Sequence, residues 1–196
     1  MNEEQRKEQA AKNLHDFAAV LDSLGLVYWL EGGTLLGAYR DGDFCKDDEN
    51  DIDIGSWFNY QHLIPEIVRR AENVGFTLYM HWDGDERAKY QAQEIAIKRH
   101  NLKIDLFFYE KKGLNAWTCV YDRKRACTPR VAPSRFFEEL EQIHFKGAFF
   151  NRPRRIEEYL TLSYGDWRTP VHRSEYSCYN PEQLRVLQPN FKFYEK

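Results

Sequence analysis

Apolar residues recur at helical spacing near the start of the chain, at Leu14, Phe17, Ala18, Leu21 and Leu24, and the pattern stops at Gly25. This predicts an amphipathic helix whose polar side, Glu3 to Lys12, faces solvent. Leu26 to Leu30 is a short run of β-forming residues between glycines and reads as a buried strand. Gly32 and Gly33 end it, Thr34 to Arg40 resumes helical character, and a polar loop from Asp41 to Asn50 leads into a second strand at Asp51 to Gly55. Tyr60 to Asn73 reads as a helix closed by Gly75, with Leu63, Ile67 and Val68 inward and Pro65 in its first turn, where proline is tolerated. Three strand-like stretches follow, Phe76 to Trp82, Ala88 to His100 and Lys103 to Tyr109, the first two joined by a hairpin turn at Asp83-Gly84-Asp85. The chain reads as irregular after Arg123. A hairpin around Lys146-Gly147 then spans Phe136 to Phe150, a short helix runs from Pro153 to Leu162, and a polar, aromatic tail follows.

Residues two apart on a strand point the same way, so Asp51 and Asp53 place two carboxylates on one face while Ile52 and Ile54 anchor the other. Asp105 lies on a later strand and alternates with Ile104 and Leu106, which puts it on the functional face as well. Hard oxygen ligands fixed on rigid strands suit Mg²⁺, which fills its remaining positions with water or substrate phosphate. An isolated D-x-D is more often an exposed strand face with nothing bound. The order of elements here changes that weighting, because a strand, a double glycine opening a helix and then two acids has a logic for phosphate chemistry. Helix N-termini attract anions, and glycine lets a phosphate approach the backbone N–H groups. The acidic loop Asp47-Asp48-Glu49-Asn50 is not a calcium hand, since it lacks the turn glycine and the closing Glu.

Composition narrows the partners. The 196 residues suffice for one sizeable core, and 28 Lys plus Arg against 31 Asp plus Glu give a net charge of -3, so a nucleic-acid partner is not indicated. Most of the 13 Phe, 12 Tyr and 5 Trp are expected in the core. No apolar run approaches a membrane span of ~20 residues, and Met1 to Ala11 has no hydrophobic segment of a signal peptide. Cys45, Cys119, Cys127 and Cys178 form no C-x-x-C pair, so reduced thiols are expected, with a metal site at Cys119 and Cys127 a minor alternative. No N-x-S/T acceptor is present, and the chain reads as a cytoplasmic protein.

The segment Leu30-Glu31-Gly32-Gly33-Thr34-Leu35-Leu36-Gly37-Ala38-Tyr39-Arg40, followed by Asp51-Ile52-Asp53-Ile54, resembles the LicD and fukutin-related group of the nucleotidyltransferase fold. Ile104-Asp105-Leu106-Phe107 is similar to the group's later acidic strand, and Tyr159-Leu160 with Tyr164-Gly165-Asp166-Trp167 is similar to its C-terminal signature. The resemblance implies an α+β fold, a nucleotidyltransferase-like mixed sheet flanked by helices in a single compact domain over residues 1–196, with its core at about 14–170. It implies Asp51, Asp53 and Asp105 as ligands of Mg²⁺ or Mn²⁺, with Asp105 also the base. Gly32, Gly33, Thr34 and Arg40 would hold the donor phosphate. The implied reaction moves a phosphorylated alcohol, such as phosphocholine or ribitol phosphate, from a CDP-activated donor to a glycan hydroxyl and releases CMP. The loop Phe44 to Asn50 departs from the group's Ile-Pro-Trp pattern and is one residue longer, which bears on donor and acceptor preference. Lys46, Arg152, Arg154, Arg155, Arg168 and Arg173 are further candidates for donor phosphates, each alone more often a surface charge. Tyr164 to Trp167 divides evenly between stacking on a base or sugar and core packing. Transfer of NMP from an NTP, or an inactive binding module, are the competing readings.

Overall fold

A computed structural model of the chain describes residues 1–46, 48–82, 93–121 and 127–171. Helix α1 (Glu3–Ser23) begins at Asn2, whose side chain accepts from Gln5 N–H while the Gln5 side chain accepts from Asn2 N–H, a reciprocal cap. Leu14, Phe17, Ala18 and Leu21 are buried, as their spacing requires. Strand β1 (Tyr28–Leu30) and helix α2 (Gly32–Arg40) follow, then β2 (Asp51–Trp57). The predicted helix over 60–73 is divided: a 3₁₀ segment, Phe58–Leu63, precedes α3 (Ile64–Asn73), because Pro65 starts a new α-helix at its first turn. Ile64, Ile67 and Ala71 form its buried stripe, with Leu63 and Val68 only half-buried beside it.

Strands β3 (Thr77–Trp82), β4 (Glu94–Arg99) and β5 (Leu102–Lys112) complete a sheet of order β1-β2-β5-β4-β3. The expected turn at Asp83-Gly84-Asp85 lies outside the described residues. β2 and β5 pair in parallel, and the other described neighbours are antiparallel, which gives the expected mixed sheet flanked by helices. On one face Ile52, Ile54, Ile104 and Leu106 are fully buried in the core, where α1 lies against β5 and α3. The opposite face of the same two strands carries the acids.

The stretch expected to be irregular after Arg123 instead contains β7 (Cys127–Pro133), paired with β6 (Asn115–Tyr121), itself paired with the end of β5. Two prolines, Pro129 and Pro133, hide β7 from a strand pattern. Proline survives there because the described strand has a partner on one side only, where edge positions tolerate a missing donor. A short helix α4 (Arg135–Glu138), the hairpin β8 (Leu140–Phe145) and β9 (Ala148–Pro153), and helix α5 (Ile156–Tyr164) close the described chain. Asn151 Nδ2 donates to Tyr28 O at 2.9 Å and fastens the hairpin to β1. Cys119 is disulfide-bonded, which corrects the expectation of free thiols and removes Cys119 as a thiolate ligand. The side chain of Cys127 and all of Cys178 lie outside the described residues. Cys45 is a buried free thiol. No helix among the described residues is long and apolar enough to cross a membrane.

Candidate metal centre

The parallel pairing of β2 with β5 sets Asp53 opposite Asp105 and Asp51 opposite Lys103, so the alternation of both strands delivers these four side chains to one face. Each of Asp51, Asp53 and Asp105 offers a carboxylate oxygen, and these oxygens lie within 4.8 Å of one another. Asp105 is 4% exposed, and its Oδ1 is buried and accepts no hydrogen bond among the described residues. Three converging carboxylates with an unsatisfied buried oxygen form the all-oxygen donor set that a hard divalent cation takes.

The first turn of α2 is fastened to β2 at Asp53. Glu31 N–H donates to Asp53 O at 3.1 Å, Asp53 N–H donates to Thr34 Oγ1 at 2.9 Å, and Gly33 N–H donates to Asp53 Oδ2 at 3.1 Å. Glu31 is the N-cap of α2 and is 2% exposed. Its carboxyl accepts from Trp29 Nε1 at 2.9 Å, from Gly32 N–H at 3.1 Å and from the Tyr159 hydroxyl of α5. A buried carboxyl needs such donors, and here they also fix where the helix starts. The donor-phosphate candidates thus differ in placement. Gly33 lines the cavity above the acids, while buried Thr34 faces the Asp53 backbone. Arg40, at the far end of α2, bonds Asp41 at 2.7 Å and the Trp167 carbonyl at 3.2 Å.

That cavity, of about 290 Å³, brings in groups that sequence reasoning missed: Lys103, Arg130, Asp48 and Glu94. Lys103 was within reach of the alternation rule, being two residues before Asp105 on one strand. Its Nζ lies 2.9 Å from Asp51 Oδ1 and 2.5 Å from Asp105 Oδ2. Arg130, from the strand that read as irregular, stands 5.5 Å from the Phe107 ring centre. Of the named basic candidates, Lys46 lines the cavity, while Arg152, Arg154, Arg155 and Arg168 pair with surface glutamates. Arg173 lies outside the described residues. Tyr164 reaches the cavity, whereas Trp167 is buried and packs against Tyr39 with ring centres 5.7 Å apart.

Crowding of like charge shows in the proton affinities. Burial, then repulsion from Asp51, raises the Asp53 carboxyl well above its ordinary range, against the pull of Arg130. Burial raises Asp105 from 3.8 to about 7, with Lys103 pulling it down and Asp51 pushing it up. Lys103 is held above its ordinary value, since Asp105 and Asp51 outweigh the burial that opposes its charge.

A pH dependence follows for the metal-free protein. Native Asp105 retains its proton to about pH 7 and the unfolded residue only to 3.8, so the native state binds more protons between these values. Stability therefore falls as pH rises through that window. The melting temperature in EDTA should be higher at about pH 5 than at about pH 7.5, with the slope reduced in Asp105→Asn. A melting temperature that rises with pH and is insensitive to Asp105→Asn would remove the raised carboxyl from the account.

Against known families, residues 25–155 match the model described as LicD/FKTN/FKRP, nucleotidyltransferase domain. The chain belongs to this family. Among its relatives is the ribitol 5-phosphate transferase FKRP of Mus musculus, 29% identical over 153 residues, covering 74% of this chain and 29% of the relative. The ribitol-5-phosphate transferase FKTN of Homo sapiens is 25% identical over 185 residues, covering 93% of this chain and 37% of the relative. The chain thus spans about a third of the length of the curated relatives it matches. The solution structure of the antibiotic-resistance factor ANT(2'')-Ia superposes with a TM-score of 0.54 at 15% identity, covering 93% of this chain and 91% of that one. At that identity the likeness speaks for the nucleotidyltransferase fold alone.

Proposed function

We propose that this family member is a metal-dependent phosphotransferase that moves a phosphorylated alcohol, ribitol phosphate or phosphocholine in type, from a CDP-activated donor to a glycan hydroxyl. The observation that carries the reading is the convergence of Asp51, Asp53 and Asp105 on one sheet face. Its chemistry agrees with the names of the relatives, ribitol-5-phosphate transferases. The three carboxylates would hold Mg²⁺ or Mn²⁺. A cation bound there neutralises the donor diphosphate, whose negative oxygens otherwise repel a nucleophile.

The chain's own residues supply the rest. Asp105, buried at the acidic face with its Oδ1 accepting no hydrogen bond among the described residues, is the carboxylate suited to take the proton of the acceptor hydroxyl. The acceptor oxygen forms a bond to the phosphorus that carries the alcohol, the bond between that phosphorus and the bridging oxygen breaks, and CMP leaves with the electron pair. Lys46, Arg130 and the backbone at Gly33 line the cavity and would meet the diphosphate. Thr34 acts on the donor through Asp53, from whose backbone N–H it accepts, Gly32 by leaving room for the Asp53 carboxylate, and Arg40 through the end of α2.

The test is CMP release from CDP-ribitol and from CDP-choline with Mn²⁺, with and without glycan acceptors. Metal-dependent CMP release stimulated by an acceptor is the expected result. Pyrophosphate release from an NTP, with no CMP from either donor, would replace the reading with nucleotidyl transfer. No release from any of them would leave a binding module.

A further inference from the structure

Lys103 is the cation that the acidic face already contains. Its ammonium bridges Asp51 and Asp105, at 2.9 and 2.5 Å, in the gap where the three carboxylates converge. A divalent ion drawn to that gap meets a positive charge in place, and two cations cannot share it. The lysine has a way out. Its side chain is 24% exposed, it lines the cavity, and its four-carbon stem rotates freely where an arginine fork would not. Asp105 Oδ1 stays unsatisfied while Lys103 occupies Oδ2, so the ammonium fills the site only in part.

We propose that Lys103 is an exchangeable counter-ion: it holds Asp51 and Asp105 in place before the metal binds, then is displaced into the cavity, where it binds a diphosphate oxygen of the incoming ligand. The proposal rests on the metal-dependent reading above and deepens it. The ligand class is a divalent cation followed by a diphosphate anion. One side chain thereby links the two, because the anion supplies the new partner that the displaced ammonium requires. Metal and diphosphate should therefore bind more tightly together than separately, and Lys103 should carry part of that coupling.

Two titrations by calorimetry decide it on the intact chain, with Mn²⁺ alone and then with inorganic pyrophosphate at saturating Mn²⁺. Lys103→Met should bind Mn²⁺ about tenfold more tightly than wild type, since a competing charge is gone, and pyrophosphate about tenfold more weakly, since a charge-assisted partner is gone. Lys103→Arg should recover part of the pyrophosphate affinity. Weaker or unchanged Mn²⁺ binding in Lys103→Met, with a native circular-dichroism spectrum at the titration temperature as control, overturns the counter-ion role. Unchanged pyrophosphate affinity overturns the second role. Neither readout uses a CDP-alcohol, so failure of the donor assignment, seen as absent CMP release by wild type, is a separate result.

Discussion

Asp53→Asn should lower CMP release by about 10²- to 10³-fold or more while leaving the melting temperature of the metal-free protein unchanged or raised. The two halves of that expectation have one cause. Burial and Asp51 already disfavour the charge on Asp53, so deleting it removes a repulsion that, on the proposed reading, a bound cation relieves. The Asn side chain still offers Gly33 N–H an acceptor, so the start of α2 is kept. Asp51→Asn should match it in turnover. The measurement is CMP release beside a thermal melt in EDTA. Wild-type turnover in either variant with Mn²⁺ present would show that these acids are not the site.

Gly32→Ala should be far more damaging than Gly33→Ala, although the glycines are adjacent. Gly32 has a φ of +53°, a left-handed conformation that side chains rarely adopt, and a Cβ there would lie 2.2 Å from Asp53 Oδ2. Relief requires moving either the carboxylate or the helix start. A stability loss of about 1–3 kcal/mol and a turnover loss of ~10²-fold or more are expected together. At Gly33 the added Cβ would meet Asp48 Oδ2, the far end of a flexible side chain, and φ is ordinary. The clash is with the end of a side chain and not with a fixed backbone conformation, so Gly33→Ala should retain more of its stability than Gly32→Ala. Its effect should fall on donor affinity, because Gly33 lines the cavity. Paired melts and donor titrations of the two variants test this; equal stability losses would show that Asp48 cannot yield.

The candidate site was legible where its geometry is local. The alternation of β2 and β5 can be read from Asp51-Ile52-Asp53-Ile54 and Ile104-Asp105-Leu106 alone, and it puts three acids on a common face. That these strands lie side by side in parallel is a pairing across about fifty residues of chain, which no local pattern encodes; the family resemblance implied only that the three acids meet at one metal. Lys103 obeys the same alternation and was missed because a lysine beside an acid reads as a solvated pair. Arg130 was beyond reach, since its strand carries two prolines and is held in the sheet by a single described neighbour. The divided helix at Pro65 shows the limit of periodicity, which locates an apolar stripe but not where the hydrogen-bond ladder resets.

The hydroxyl of Tyr159 changes where this domain can be said to end. The family profile stops at residue 155, one residue before α5 begins, so by the profile alone the helix is an appendage, although the likeness to FKTN runs on over 93% of the chain. By hydrogen bonding it is not: Tyr159 reaches back 128 positions to the carboxyl of Glu31, and its ring packs on Phe136 and Phe137. A polypeptide cut at the profile boundary would leave Glu31 with only Trp29 and Gly32 as donors in the described structure, a deficit of about 1–3 kcal/mol at the residue that starts α2. The unit that the profile delimits and the unit that the hydrogen bonds close therefore differ by one helix.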